Sequence, residues 1–293
     1  MSASGRVVVC GSLHYDIAVE TPSWPTAGET AVGTSWFPKL GGKGRNQAVA
    51  ARRAGAETIM IGRVGADDFG RELLADLERR GIDRSAVTVS ATAGTGMSVA
   101  LFDPTGDYRA IIVSGSNLEL GPAIVANDAL LSRAGVLVLQ NEIPDEANTA
   151  LAGVARTAGA TVILNAAPAR PLSTALAARV DILVVNAIEA AQLAGISEPR
   201  DLESAAAAAR SLAEGFPQAV VTAGAAGVAS AGRLGAMRFP AEPAKVINTH
   251  GAGDEFVGCL AAELAAGGGL ERALALANQA AARLISTPEA ARG

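Results

Sequence analysis

Cysteine is nearly missing from this sequence. Cys10 and Cys259 are its two thiols, and they lie far apart. Two separated thiols build neither a disulfide framework nor a metal-ligand cluster, and they fit a reducing cytoplasm. Aromatic residues are scarce too, at 3%. Alanine is abundant instead, so helices that pack closely are expected. Strong charge of one sign is also absent: the net charge is −5, spread without long runs. Nucleic-acid binding needs a basic face, so that class is set aside. Long apolar runs are lacking as well. The N-terminal MSASGRVVVCGS is too short in apolar residues for a signal peptide. The alanine-rich runs break at Arg, Glu or Gly before they could span a bilayer. A cytoplasmic protein with no membrane or nucleic-acid partner is expected.

What is present is a large apolar content, 49% of 293 residues, which a single layered domain over 1–293 can bury. Short β-rich runs alternate with helical ones. RVVVC (6–10), ETIMIGRVG (57–65), VLVLQ (136–140), TVILN (161–165), DILVVN (181–186) and AVVTAG (219–224) read as strands. Helices are expected at 46–55, 67–81, 146–158, from 187, at 203–214, 254–266 and 270–285, with Asp67 capping the second. This rhythm calls for an αβα sandwich, Rossmann-like, around a mostly parallel sheet. Two segments break it. Residues 29–40 lack helical periodicity, and MSVALFDPTGDYRAIIV (97–113) reads strand, turn, strand. They predict a small β-sheet lid from about 12–40 and 95–114, with an antiparallel edge of the main sheet as the alternative.

Ligands of open α/β sheets sit beyond the carboxyl ends of the strands. Polar residues recur at those ends: His14 and Asp16, Asn141 and Glu142, Asn165, Asn186 with Glu189 a turn later, and Thr222. One such residue is ordinary capping, whereas several point to a cleft. LGGKGRNQA (40–48) adds glycines that let backbone approach a ligand, with Lys43 and Asn46 as donors. It has neither the P-loop spacing nor a dinucleotide fingerprint. The stretch NTHGAGDEFVG (248–258) places Gly251, Ala252 and Gly253 before Asp254 and an apolar helix. Its bland reading is an Asp N-cap. Its chemical reading is an anion site at a helix N-terminus with a carboxylate beside it to take a proton.

GSLHYD, ETAVG, GGKGRNQAVAARRAG, NAAPARPL, NAIEAAQLAG and NTHGAGDEFVG together resemble the ribokinase-like sugar kinases, the PfkB family, from about residue 6 to 285. The paired GGKGxNQA and GAGD motifs and the intervening NxxE spacing carry the resemblance. It implies a Rossmann-like αβα domain with a β-lid and ATP-dependent phosphorylation of a sugar hydroxymethyl group. Asp254 then matches the general base, and the amides of Gly251, Ala252 and Gly253 the anion hole. Asp16, Gly42, Lys43, Asn46 and Glu142 match sugar-binding positions, although Asp145 or Glu146 could equally be the acid of the Glu142 loop on sequence grounds. Asn186, Thr222, Gly224, Gly227 and Asn278 match nucleotide-binding positions. Glu189 matches the acid that orders water around Mg²⁺. A homodimer through the lids is implied as well.

Three positions depart from that pattern. His14 stands where the family commonly carries an Asn that touches the sugar, which opens the identity of the substrate beyond ribose to other ketoses, sugar acids or nucleosides. Asn248 stands where ribokinases carry an Asp at a K⁺ site. The loop that completes that site is shortened, so weak or absent K⁺ dependence is expected. His250 flanks the expected anion hole, where its backbone should matter most.

Overall fold

The computed structural model describes residues 5–104, 108–123, 128–288 and 291–292. The main sheet starts with β1 (Arg6–Cys10), whose VVV run is buried on both faces. It continues with β4 (Glu57–Gly65), β5 (Asp83–Ser90), β8 (Val136–Gln140), β9 (Thr161–Asn165), β10 (Ile182–Asn186), β11 (Gln218–Thr222), β12 (Val228–Gly232) and β13 (Met237–Phe239). The nine strands run in the order β13-β12-β11-β10-β9-β8-β1-β4-β5. All neighbours are parallel from β5 to β11, and β12 and β13 add an antiparallel edge. Successive side chains of a strand face opposite ways, and the core divides accordingly. Val8, Leu137, Leu139, Leu164 and Val185 pack beneath α3 (Asp128–Leu131), α4 (Asp145–Thr157), α5 (Thr174–Ala177), α6 (Ala187–Ala194) and α7 (Leu202–Leu212). Val7, Val9, Val138, Ile163 and Val184 pack beneath α1 (Lys43–Arg53), α2 (Asp68–Arg79), α8 (Ala252–Ala265) and α9 (Leu270–Ile285).

The strand order reverses at β1, which lies between β8 and β4. Chains leaving β1 and β8 part in opposite directions there and open a crevice. β12, β13 and β5 escaped the sequence pattern: β12 is built mostly of small residues, β13 is three residues long, and β5 is polar and half-solvated.

A separate four-stranded sheet is formed by β2 (His14–Glu20), β3 (Ser35–Gly41), β6 (Gly96–Phe102) and β7 (Tyr108–Val113), in the order β3-β2-β6-β7. The β6–β7 pairing is antiparallel, as a hairpin requires, and the central β2–β6 pairing is parallel. The tip of the DPTGD turn, 105–107, lies outside the described residues. Its faces differ. One row of partners is Pro38, Ile17, Val99 and Ile111, all apolar, and the next is Lys39, Asp16, Ser98 and Ile112. Tyr15 joins the two units by stacking on Phe69 of α2, with ring centroids 4.1 Å apart.

Candidate active site

The GAGD turn begins α8 earlier than an Asp N-cap would. Gly251 is the N-cap, in the left-handed region at φ 81°, and has no side-chain cap. Asp254 therefore sits inside the first turn, and its carboxylate is not spent on its own helix. Oδ1 accepts from Gln47 Nε2 at 2.9 Å, and Oδ2 from Asn46 Nδ2 at 3.2 Å. Burial is the dominant influence and raises the pKa of Asp254; the Lys43 charge and the two amides act in the opposite sense. A Cβ on Gly253 would meet nothing within 4 Å, so that glycine borders open space rather than packed protein. The Ala252 amide donates to the Thr249 carbonyl at 3.2 Å. Those of Gly253 and Asp254 belong to a first turn that has no intrahelical acceptors.

Two helices meet at Asp254 because small residues let them. A Cβ on Gly258 of α8 would lie 2.4 Å from Ala50 Cβ and 2.6 Å from the Gln47 carbonyl of α1. This close crossing is what brings Asn46 and Gln47 to the carboxylate. Lys43 and Asn46, expected in a loop, instead form the first turn of α1, with Gly42 as N-cap at φ 90°. No neighbouring side chain caps that helix locally. Glu142 does so from across the crevice: its Oε2 accepts from the Lys43 backbone N at 3.0 Å and also from the Ser12 hydroxyl. Glu142 lies in the turn after β8, whereas Asp145 and Glu146 begin α4. The Lys43 side chain lies among carboxylates. Burial works to lower its pKa, but Asp254, Glu142 and Glu189 together hold it above the ordinary lysine value.

Asn186 and Glu189 form a reciprocal capping box at the start of α6, with bonds of 2.8 and 2.9 Å. This local geometry alone accounts for the NxxE spacing. The same residues line a cavity of about 160 Å³ with Lys43, Thr222, Gly253 and Asp254, so the two motifs converge on one space. Burial raises the pKa of Glu189, opposed by the Asn186 amide and Lys43. Among the described residues no cluster of three or more His, Cys, Asp or Glu could hold a metal ion. Mg²⁺ favours few protein carboxylates, with water and phosphate completing its shell. A single half-buried carboxylate fits that demand. Thr222 stands opposite Asn186 at the paired ends of β11 and β10. Gly224 and Gly227 follow in a tight turn, both with positive φ. Asn278, on α9, donates to the Pro240 carbonyl at 2.9 Å. These last three do not line the cavity around Asp254.

From the small sheet, Asp16 accepts from Ser98 and lies over Gly41, where any Cβ would meet its Oδ2 at 2.0 Å. His14, two residues earlier on the same face, is 4% exposed, and its Nε2 is buried without a hydrogen-bond partner. Sequence reasoning missed the support behind Asp254. Gln140 Nε2 donates to Gln47 Oε1 at 2.7 Å, and Gln47 Nε2 also donates to Asn165 Oδ1 at 3.0 Å. Gln47, Gln140 and Asn148 are all fully buried. The available signal was a glutamine closing the apolar VLVLQ run and another opening an alanine-rich helix.

Comparison with known proteins gives the family. The family model for pfkB carbohydrate kinases matches residues 4–293. A ribokinase of Bacillus subtilis (strain 168) is 34% identical over 283 residues, covering 94% of this chain and 91% of that protein. The structure of Arabidopsis thaliana ribokinase complexed with ribose and ATP superposes with a TM-score of 0.89 at 30% identity, over 98% of this chain and 94% of that one. Ribokinase from Thermotoga maritima gives a TM-score of 0.86 at 28% identity, over 96% and 93%. With its sheet order, its convergent motifs and these relatives, the chain belongs to the pfkB family of carbohydrate kinases and is a ribokinase-like phosphotransferase acting on a sugar hydroxyl.

Proposed function

We propose that this chain transfers the γ-phosphoryl group of ATP to a hydroxymethyl group of a small sugar, ribose or a related pentose. The observation that carries the reading is the seat of Asp254. It is a buried carboxylate with a raised pKa, held by two side-chain amides at the mouth of a helix whose first turn faces open space. In this reading Asp254 takes the proton of the sugar hydroxyl. The bond from the sugar oxygen to the γ-phosphorus forms as the β–γ bridging bond breaks, and ADP leaves. The amides of Gly251, Ala252 and Gly253 stabilise charge on the transferring group. An incoming anion competes with the Thr249 carbonyl for the Ala252 amide. Asp16, Gly42, Lys43, Asn46 and Glu142 position the sugar, with His14 beside them. Asn186, Thr222, Gly224, Gly227 and Asn278 position the nucleotide. Mg²⁺, when bound, neutralises phosphate charge, and Glu189 would hold its water shell.

Relatives named as ribokinases, one of them complexed with ribose and ATP, support the pentose. The buried, unpartnered Nε2 of His14 favours a second reading of the same site, in which another ketose, a sugar acid or a nucleoside supplies its partner. A low-turnover sensing protein is the rival from another class, and the intact seat of Asp254 weighs against it. We also propose that the small sheet, over about 12–40 and 95–114, acts as a lid. The face that carries its apolar row, with Ile111 74% and Trp36 66% exposed, then pairs with that of a second copy in a cytoplasmic homodimer. ADP release across a panel of sugars and nucleosides tests the activity. Turnover well above that of Asp254→Asn is expected with ribose or a related pentose. Equal rates for the two proteins on every substrate would sink the kinase reading.

A further inference from the structure

The turn that leads into α8 is poorly held by burial. Val246, Ile247, Thr249 and His250 are all exposed, and Gly251 has a left-handed backbone without a side-chain cap. Backbone bonds from Ile247 and Asn248 to the Ile285 carbonyl, at 2.8 and 3.3 Å, anchor its start. Asn248 Oδ1 accepts from the His250 amide at 2.8 Å. Further support comes from one side chain far along the chain. Arg292 Nη2 donates to the Asn248 carbonyl at 2.6 Å, Nη1 to the His250 carbonyl at 2.8 Å, and Nε to the Thr287 carbonyl at 2.9 Å.

One planar cation thus gathers carbonyl oxygens from both segments that flank the helix mouth. A guanidinium suits this task because its donors are fixed in a fork and its charge is permanent. Arg292 is itself held in place. Its carbonyl accepts from Arg53 Nη1 at 3.0 Å, and Arg53 also pairs with Glu255, the residue after Asp254. A ring closes: the first turn of α8, Arg53 of α1, Arg292, and the turn before α8.

We infer that Arg292 is a positioning residue, a tethered cation that holds the 248–251 turn in its anion-binding form. The inference rests on the reading of that turn as the site of phosphoryl transfer. Without the guanidinium, the carbonyl oxygens of Asn248, His250 and Thr287 would each lose a charged donor. Oxygens so left repel one another or recruit a small cation. The turn would loosen, and with it the amides that must be in place when charge develops. Misplacement of such groups lowers kcat more than it weakens substrate binding.

The test compares wild type, Arg292→Ala and Arg292→Lys. In Arg292→Ala, kcat with the best sugar should fall about tenfold or more, with KM for the sugar little changed. Millimolar guanidinium or added K⁺ should restore part of the loss while leaving the wild type unaffected. Arg292→Lys, which keeps the charge but not the fork, should fall between them. Amide hydrogen exchange supplies a readout independent of turnover: peptides over 247–254 should exchange faster in Arg292→Ala, while β8 and β9 are unchanged. Wild-type exchange across 247–254 in that variant would overturn the inference whatever the activity. Faster exchange there with unchanged kcat would overturn its catalytic part. If the wild type phosphorylates no sugar, the functional reading fails while the exchange comparison still decides this one.

Discussion

In the large sheet Leu139, Val162 and Leu183 are wholly buried and helices cover both faces, whereas in the small sheet Trp36 and Ile111 stand 66% and 74% exposed. In the proposed site each sheet supplies one wall. Asp254, Asn46 and Gln47 come from helices packed on the large sheet, and their side chains are fixed to one another through buried amides. Asp16 and His14 come from the small sheet, where Asp16 is tied to Ser98 and His14 keeps a free Nε2. In the function proposed above, the chemistry then sits on the rigid wall, and substrate discrimination falls to the wall with less burial behind it. A reacting group must be held to within a fraction of an ångström, whereas a wall that admits different sugars gains from adjustable contacts.

Asp254→Asn breaks the rigid wall most directly. It should lower kcat by about a thousandfold, the scale of a lost general base, in a single-turnover assay, with sugar binding retained. The raised pKa makes two further statements. In the proposed role Asp254 must be ionised to accept a proton, so kcat/KM should fall as pH drops through a pKa raised above the ordinary aspartate value, and this limb should vanish in Asp254→Asn. A carboxyl whose folded pKa is raised contributes most to stability below its unfolded pKa, and loses that contribution as pH rises through the folded value. Above its folded pKa the ionised Asp254 is thus a burden on the fold, and there the melting temperature of Asp254→Asn should not be lower than that of the wild type.

Stability should divide the two sheets just as sharply. Leu139→Ala in the large sheet should cost about 2–5 kcal/mol in denaturant unfolding, whereas Ile111→Ala in the small sheet should stay within about 0.5 kcal/mol. A large cost at Ile111 in a monomer would refute the contrast. Charging the exposed apolar face of the small sheet, with Trp36→Glu and Ile111→Lys together, should convert the proposed dimer to a monomer in sedimentation without lowering the melting temperature of the monomer. The smallest effect expected is on replacing Na⁺ by K⁺, which should leave wild-type kcat nearly unchanged. A many-fold rise would show that a mobile cation still serves the turn.

Much of this molecule can be read before it is folded. The apolar runs at β1, β8, β9 and β10 announce a parallel sheet, because only strands covered on both faces are so uniformly apolar. The MSVALF and YRAIIV runs announce a hairpin. The helix start at Lys43 was not legible. Gly42 gives no cap signal, and the group that satisfies the Lys43 amide is Glu142, far along the chain. Gln47 and Gln140 were equally hidden, since a buried amide and an exposed one look alike in sequence. The NxxE motif was visible, but its spacing is also that of a capping box, so spacing alone could not separate helix start from ligand site.

The sequence by itself determined the layered class, the alternation of elements, the glycine-rich turns and the residue types available for phosphoryl transfer. These follow from local pattern: periodicity, capping chemistry and the backbone freedom of glycine. Only the tertiary structure decided that Asp254 is held by α1 rather than by its own helix, that Glu142 caps α1 from another strand end, and that Arg292 reaches back to the turn before α8. Each is a contact between groups distant in sequence, made possible by a close helix crossing or a shared crevice. No local pattern encodes such a meeting, because it depends on where the whole sheet places its strand ends.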